Sequence, residues 1–261
     1  MAPYESHGFI GQEIHRWIKA TKQTHKALFE LAERLNADCY GSLANVKINS
    51  GSLRQTLIAC LFARCLELFQ ATYLLVARGM SPSANITLRA LMEAMFVLCA
   101  TAKDDDALEA YVIDGERERL RITKKLLADT NSALSSDRLD VIRGIRNELD
   151  EKFKKQKVKK FSTEEFAKKA GLHSWYLTAY AKTSWAVHTT VRDIERYLVL
   201  DEEENLKSIK FIPTDEDAVT VLSSGCNAMI ISLGKFLSLL EADTAVAEER
   251  GKELERLMTK V

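Results

Sequence analysis

The sequence predicts an all-α protein, a single bundle of about eight or nine helices. Apolar residues recur at helical spacing along most of its 261 residues, and only three prolines (Pro3, Pro82, Pro213) interrupt it. No stretch alternates apolar and polar residues long enough to suggest a sheet. Hydrophobic residues make up 46% of the chain, enough at this length for a substantial core.

The elements follow in order. Ile10, Ile14, Trp17, Ile18, Thr21, Leu28, Leu31 and Leu35 trace the apolar stripe of a first helix over residues 10–36, with His25 packed on it. The polar, glycine-containing stretch from Asn36 to Gly51 ends that helix, and Ser52 caps a second from about Leu53 to Arg78. Residues 78–82 (RGMSP) are a compact stop before a third helix from about Ser83 to Thr101. Both helices are apolar nearly all round, the pattern of central rather than superficial helices. Asp104 to Asp106 supply a cap and favourable charge for a fourth helix, and residues 135–137 (SSD) do so for a fifth.

The fifth helix runs into a lysine run at residues 152–160. Phe161, Ser162, Glu165 and Phe166 then form a capping box with a hydrophobic staple, and Gly171 stops the short helix they start. A long helix from about Leu172 to Leu200 follows, and residues 201–204 (DEEE) open a polar loop through Pro213. Thr214 with Asp217 starts a core helix to about Leu240, and Asp243 or Thr244 starts the last, which covers the core or makes a dimer contact. With no internal repeat or low-complexity linker, residues 1–261 are expected to form one domain: an N-terminal helix (10–36), a central core (52–200) and C-terminal helices (214–261).

Lysine plus arginine total 37, and aspartate plus glutamate 37, so nothing pulls the chain as a whole toward nucleic acid or anionic lipid. Such binding must come from a local patch. Cys39, Cys60, Cys65, Cys99 and Cys226 are odd in number and lack metal-ligand spacing, which reads as small core residues in a reducing compartment. The first residues lack the basic start, apolar segment and cleavage site of a secretory signal. The longest uncharged run, Ala218 to Gly234, falls short of the ~20 predominantly apolar residues of a spanning helix. A cytoplasmic protein without membrane association is expected.

Two arginine-glutamate pairs interrupt the most apolar helices: Arg64 with Glu67, and Arg89 with Glu93, each spaced to share a helical face. If residues 78–82 make a tight antiparallel hairpin, levels match where residue numbers sum to about 161, which sets Glu67 beside Glu93. A carboxylate pair at one depth suits a di-metal bundle, but the accompanying Glu-x-x-His motif is absent, so no metal is expected. A buried salt-bridge network that fixes helix register and a functional polar site both stay open.

Tyr176, Tyr180, Ser184 and His188 fall at successive four-residue steps beside an apolar face, where His188 is a candidate general acid or base or a hydrogen-bonded core histidine. His7, His15 and His173 have no convincing partner in the sequence. The lysine run, flanked by Phe153 and Phe161, reads as a solvated helix end or a phosphate-binding stretch. No Walker loop, dinucleotide glycine pattern, Gly-x-Ser-x-Gly elbow or zinc signature occurs, and no cofactor is expected.

Arg64-x-x-Glu67, Arg78-Gly79, Leu88-Arg89-Ala90-Leu91-Met92-Glu93, Tyr111 and Tyr180-x-x-x-Ser184-x-x-x-His188 together resemble a widespread prokaryotic family of helical proteins of unknown function, over about residues 50 to 200. The resemblance implies that Arg89, Glu93, Ser184 and His188 are the characteristic polar positions. The helical layout also resembles the HEPN superfamily (higher eukaryotes and prokaryotes nucleotide-binding), which includes toxin and phage-defence ribonucleases. Its nuclease signature is an arginine, four to six intervening residues and then a histidine, but Ala181, Lys182 and Thr183 stand at the arginine's positions before His188, so the arginine would come from Arg89 on another helix.

The function expected is a nucleotide- or RNA-directed activity of toxin or phage-defence type, a metal-independent strand cut if catalytic. Arg89 and Arg64 hold phosphate, His188 moves a proton, Glu93 with Tyr180 orients them, and Ser184, Glu67, Tyr111 and Tyr176 complete the site. The alternative is a non-catalytic sensor or antitoxin-like module with a protein partner or a second copy, its arginine-glutamate network purely structural. A small-molecule pocket near residues 175–185 is a third reading.

Overall fold

The computed structural model describes residues 7–129, 134–155, 159–183 and 191–259. The chain is an all-α bundle, with ten α-helices of five residues or more among the described residues and one small β-hairpin. Its centre is the antiparallel pair α3 (Leu53–Ala77) and α4 (Ser81–Thr101), which follow α1 (Ile14–Thr24) and α2 (Lys26–Asn45). Helix α3 begins where the Ser52 side chain accepts the Gln55 N–H. It ends in a turn in which Gly79 takes φ 72° and the N–H groups of Gly79 and Met80 close on Val76 and Leu75. A Cβ on Gly79 would stand 2.7 Å from Pro213 and 2.8 Å from both the Thr214 nitrogen and Trp17 Nε1, so the corner requires glycine twice over.

Two long helices then leave the centre as a hairpin, α5 (Asp105–Ala128), capped by the Asp104 side chain, and α6 (Ser136–Lys155). Helix α7 (Thr163–Ala170) has both halves of the expected capping box, the Phe161–Phe166 contact at 5.4 Å and a left-handed Gly171 at φ 78°. It leads into α8 (His173–Trp175), a π turn (Tyr176–Tyr180) and α9 (Val191–Glu195). Helices α10 (Ala218–Leu239) and α11 (Ala245–Met258) close the bundle. Helix α10 packs against both α3 and α4, with Phe62 and Phe236 stacked at 4.2 Å, and α2 and α11 cover it.

Two expectations change. The first helix is two, broken at His25 (φ −109°, ψ 33°), and the second runs on to Asn45 because Cys39 continues the buried stripe of Leu28, Leu31 and Leu35. The helix expected to reach Leu200 stops short, and β1 (Leu198–Leu200) pairs antiparallel with β2 (Leu206–Ile209) instead. In the turn between them the Asp201 carboxylate accepts the Glu203 and Asn205 N–H groups, and Glu204 takes φ 63°.

Four cysteines are buried as expected, but Cys60 is exposed. Burial pushes the thiols of Cys65, Cys99 and Cys226 up to about 12, so they are inert packing groups. Helices α3, α4 and α10 are each long and apolar enough to cross a membrane, by length and composition alone, which corrects the expectation that no segment is. Here they pack on one another inside the helical shell.

Candidate functional site

Arg89 and Glu93 lie one turn apart on α4, so both side chains face the same neighbour. That neighbour is Tyr180, carried on the π turn that follows α7 and α8. Arg89 Nε is 3.3 Å from the Glu93 carboxylate. The Tyr180 hydroxyl donates to the same carboxylate at 2.6 Å and accepts from a terminal Arg89 nitrogen. Another guanidinium nitrogen donates to the Tyr180 carbonyl at 3.4 Å, and the guanidinium carbon sits 3.8 Å from the ring centroid. The three groups are thus locked by charge, hydrogen bonding and stacking together.

Burial, and then the hydrogen bond to Glu93, push the Tyr180 phenol up to about 12. It is therefore protonated at neutral pH, a donor that positions Glu93 and Arg89 rather than a base. Tyr176 stacks on Tyr180 at 5.0 Å, and His173 on Tyr176 at 6.1 Å. His173, Tyr176, Tyr180 and Arg89 make a ladder of four flat groups, of which Tyr176, Tyr180 and Arg89 line one wall of a groove of about 370 Å³. The other wall is the first turn of α7, with Ser162, Thr163 and Glu164. Its capping carboxylate, Glu165, is held down to about 2 by Lys159 and the Ser162 N–H.

The structure brings together four expected residues: Arg89, Glu93, Tyr176 and Tyr180. It separates the rest. Arg64 and Glu67 pair with each other at 2.6 Å on an exposed face of α3, and Glu67 lines a different groove, against Tyr40 and Leu43 of α2. The two glutamates share a level on the hairpin but face different neighbours, so neither the shared network nor the carboxylate pair forms. Tyr111 packs edge-on against Phe166 at 6.1 Å and does not line the groove. Ser184 and His188 lie outside the described residues. Among the described residues no group of three histidine, cysteine, aspartate or glutamate side chains could hold a metal ion.

Sequence reasoning missed His173, whose Nε2 is 3.1 Å from the Glu164 carboxylate. Lys168, and then His173, hold that carboxylate below its usual range. The Gly171 turn folds α8 back on α7 and creates the contact, so the available signal was a glutamate and a histidine on either side of a helix stop.

A second depression, of about 310 Å³, lies at the base of the β-hairpin beside Gly79 and Phe211. Its charged residues pair within it, Arg196 with Asp217 at 3.6 Å and Lys210 with Glu216 at 3.5 Å, so the groove at Arg89 is the better candidate.

The chain matches no curated protein and no solved structure. Residues 55–205, which hold α3 to α9 and the groove, match the family of unknown function DUF5677, and the chain belongs to that family.

Proposed function

We propose that the groove binds a nucleotide or a nucleotide unit of RNA, in a toxin- or phage-defence-like role, with Arg89 as the phosphate ligand. The carrying observation is Arg89 itself. Its side chain is 16% exposed and faces a groove whose opposite wall is a helix N-terminus, while Glu93 and Tyr180 fix its orientation. A guanidinium held this way presents its nitrogens to phosphate at little ordering cost, and Tyr180 and Tyr176, whose faces are taken up by Arg89, each other and His173, turn ring edges to the groove against which a base packs.

If the site is catalytic, the expected chemistry is a metal-independent strand cut with His188 moving the proton and Ser184 completing the site. His173, paired with Glu164 and stacked on Tyr176, is a further histidine next to the groove. The reading includes a HEPN-like relationship, and it is of a cytoplasmic protein in which α3, α4 and α10 are core helices. The test is cleavage of mixed transfer and messenger RNA in chelator by the full chain, beside folded Arg89→Ala and His188→Ala proteins. Cleavage lost in both variants supports the reading, and cleavage retained in His188→Ala removes that residue's role.

The alternative is a non-catalytic interaction module, and one observation favours it. Glu93, Tyr180 and Arg89 satisfy one another, which is how a purely structural lock between α4 and the π turn would look. No cleavage and no RNA binding by intact protein would favour that reading.

A further inference from the structure

The chain is neutral as a whole but not in its parts. Residues 116–160 carry fourteen lysines and arginines against eight aspartates and glutamates, and residues 201–261 carry seven against thirteen. The basic segment runs from the outer half of α5 through α6 to the lysines at 157, 159 and 160. Helix α6 packs against α5, and α5 in turn against α4, so this hairpin is a projecting arm.

Its cations gather on one side. Arg117, Arg121, Lys124 and Lys125 follow one another at four-, three- and one-residue steps on α5, and Arg143, Arg146, Asp150 and Lys154 at three- and four-residue steps on α6, so each set shares a helical face. Two contacts put both faces on the same side of the arm: Lys124 bridges to Asp150 at 2.7 Å, and Arg117 lies over the Phe153 ring at 5.8 Å. Seven cations therefore share one surface. Arg121, Lys124, Lys125, Arg143 and Lys154 are exposed.

The carboxylates beside them do not cancel the surface. Arg121 pairs with Glu118, Arg143 with Asp140 and Lys154 with Glu151, each a solvent-exposed local pair three residues apart, and Lys124 pairs with the partly exposed Asp150 across the two helices. Exposed pairs of this kind contribute little and are screened by salt. An array of phosphates that engages several cations at once and releases its condensed counterions displaces them.

From these observations we propose that this face of the α5–α6 arm binds the phosphate backbone of double-stranded RNA. The inference rests on RNA being the ligand class of the groove at Arg89. Helix α6 presents its cations from Arg143 to Lys154, a run of about 17 Å at 1.5 Å per residue, long enough for several successive phosphates. Phe153, packed under Arg117, is the single aromatic residue between Glu116 and Lys155. The arm thus has charge without stacking platforms, which suits backbone shape and not unpaired bases. It grips the stem, and the groove takes one nucleotide unit.

The test is fluorescence anisotropy of a labelled 20-base-pair RNA duplex with the full chain, between 50 and 250 mM salt. The charge-reversed variant carries Arg121→Glu, Lys125→Glu and Arg143→Glu, and a conservative variant carries Arg121→Lys and Arg143→Lys. Reversal is expected to weaken binding at least tenfold and to make the log-log salt slope shallower by about 2 to 3, with helicity unchanged. The conservative variant, which keeps the point charges, binds as the parent does. Arm-dependent binding without cleavage supports the arm and overturns only the strand-cutting reading of the groove. Duplex binding that survives reversal overturns the arm and leaves the groove reading standing. Absence of duplex binding at 50 mM salt overturns the arm, as does a reversal that abolishes only self-association or only binding to anionic vesicles.

Discussion

Arg89 lies flat against Tyr180, with its guanidinium carbon 3.8 Å from the ring centroid, and it also hydrogen-bonds that residue's hydroxyl and carbonyl. One tyrosine thus contacts the arginine through its ring, its phenol and its backbone. The Tyr180→Phe variant keeps the ring and removes the link to Glu93. We expect it to lose about 1 to 2 kcal/mol in urea unfolding and to weaken any phosphate ligand of Arg89 more than its stability loss requires.

The same phenol makes stability pH-dependent in the alkaline range. Its folded value, about 12, lies above the ordinary tyrosine value, so the folded chain holds this proton more tightly than the unfolded chain does. The stabilisation is complete below about pH 10 and is lost as pH rises toward 12, by about 1 to 3 kcal/mol. Unfolding curves at pH 9.5 and 11.5 should show a larger fall in the parent than in Tyr180→Phe. An equal fall would mean that other tyrosines carry it.

Gly79→Ala should be among the most damaging single-methyl additions in the chain. It combines a left-handed backbone with contacts under 3 Å to Pro213, Thr214 and Trp17. A loss of about 2 to 5 kcal/mol is expected, read as a lower urea midpoint with unchanged slope.

Removing the Ser162 hydroxyl breaks the capping box of α7. Ser162→Ala should cost about 1 kcal/mol, and hydrogen exchange should speed up first at Thr163 to Phe166. Exchange unchanged there would show that packing on α4, not the cap, holds the helix.

Thiol chemistry separates surface from core. One equivalent of a thiol reagent should react with the native chain, at Cys60, and five after denaturation. Cys60→Ser should abolish the native reaction. A second fast thiol would mean that one of the four buried cysteines is reached by local opening.

Much of this fold is legible in the sequence because its signals are local. The Ser52 and Asp104 caps, the Ser162–Glu165 box and the Gly79 and Gly171 stops each depend on a few adjacent residues, and each occurs where the residues place it. The break at His25 and the strand pair after Tyr197 are not local in this way. A continuous apolar stripe crosses the first, and pairing across a turn creates the second. The site was legible to the same degree. Arg89, Glu93, Tyr176 and Tyr180 stand out as polar residues at helical spacing, but the direction of Arg64 and Glu67 does not, because a helix that is apolar all round carries no mark of which face is covered. The hairpin sets Glu67 and Glu93 at one level, and nothing in the sequence matches them for azimuth.

The π turn at Tyr176–Tyr180 has a consequence for tolerance to length change. A π turn holds one residue more than an α turn of the same rise. Deleting a single residue there would let the segment relax into ordinary α-helix, which completes the same turn with one residue fewer and leaves the following side chains pointing in the same direction around the axis. Tyr180 would then stay on Arg89, one residue nearer to Tyr176 in the chain. A deletion in the regular helix α4 would instead swing every following side chain by about 100° around the axis, so the π turn is the place in the groove where length, rather than residue type, can change at least cost.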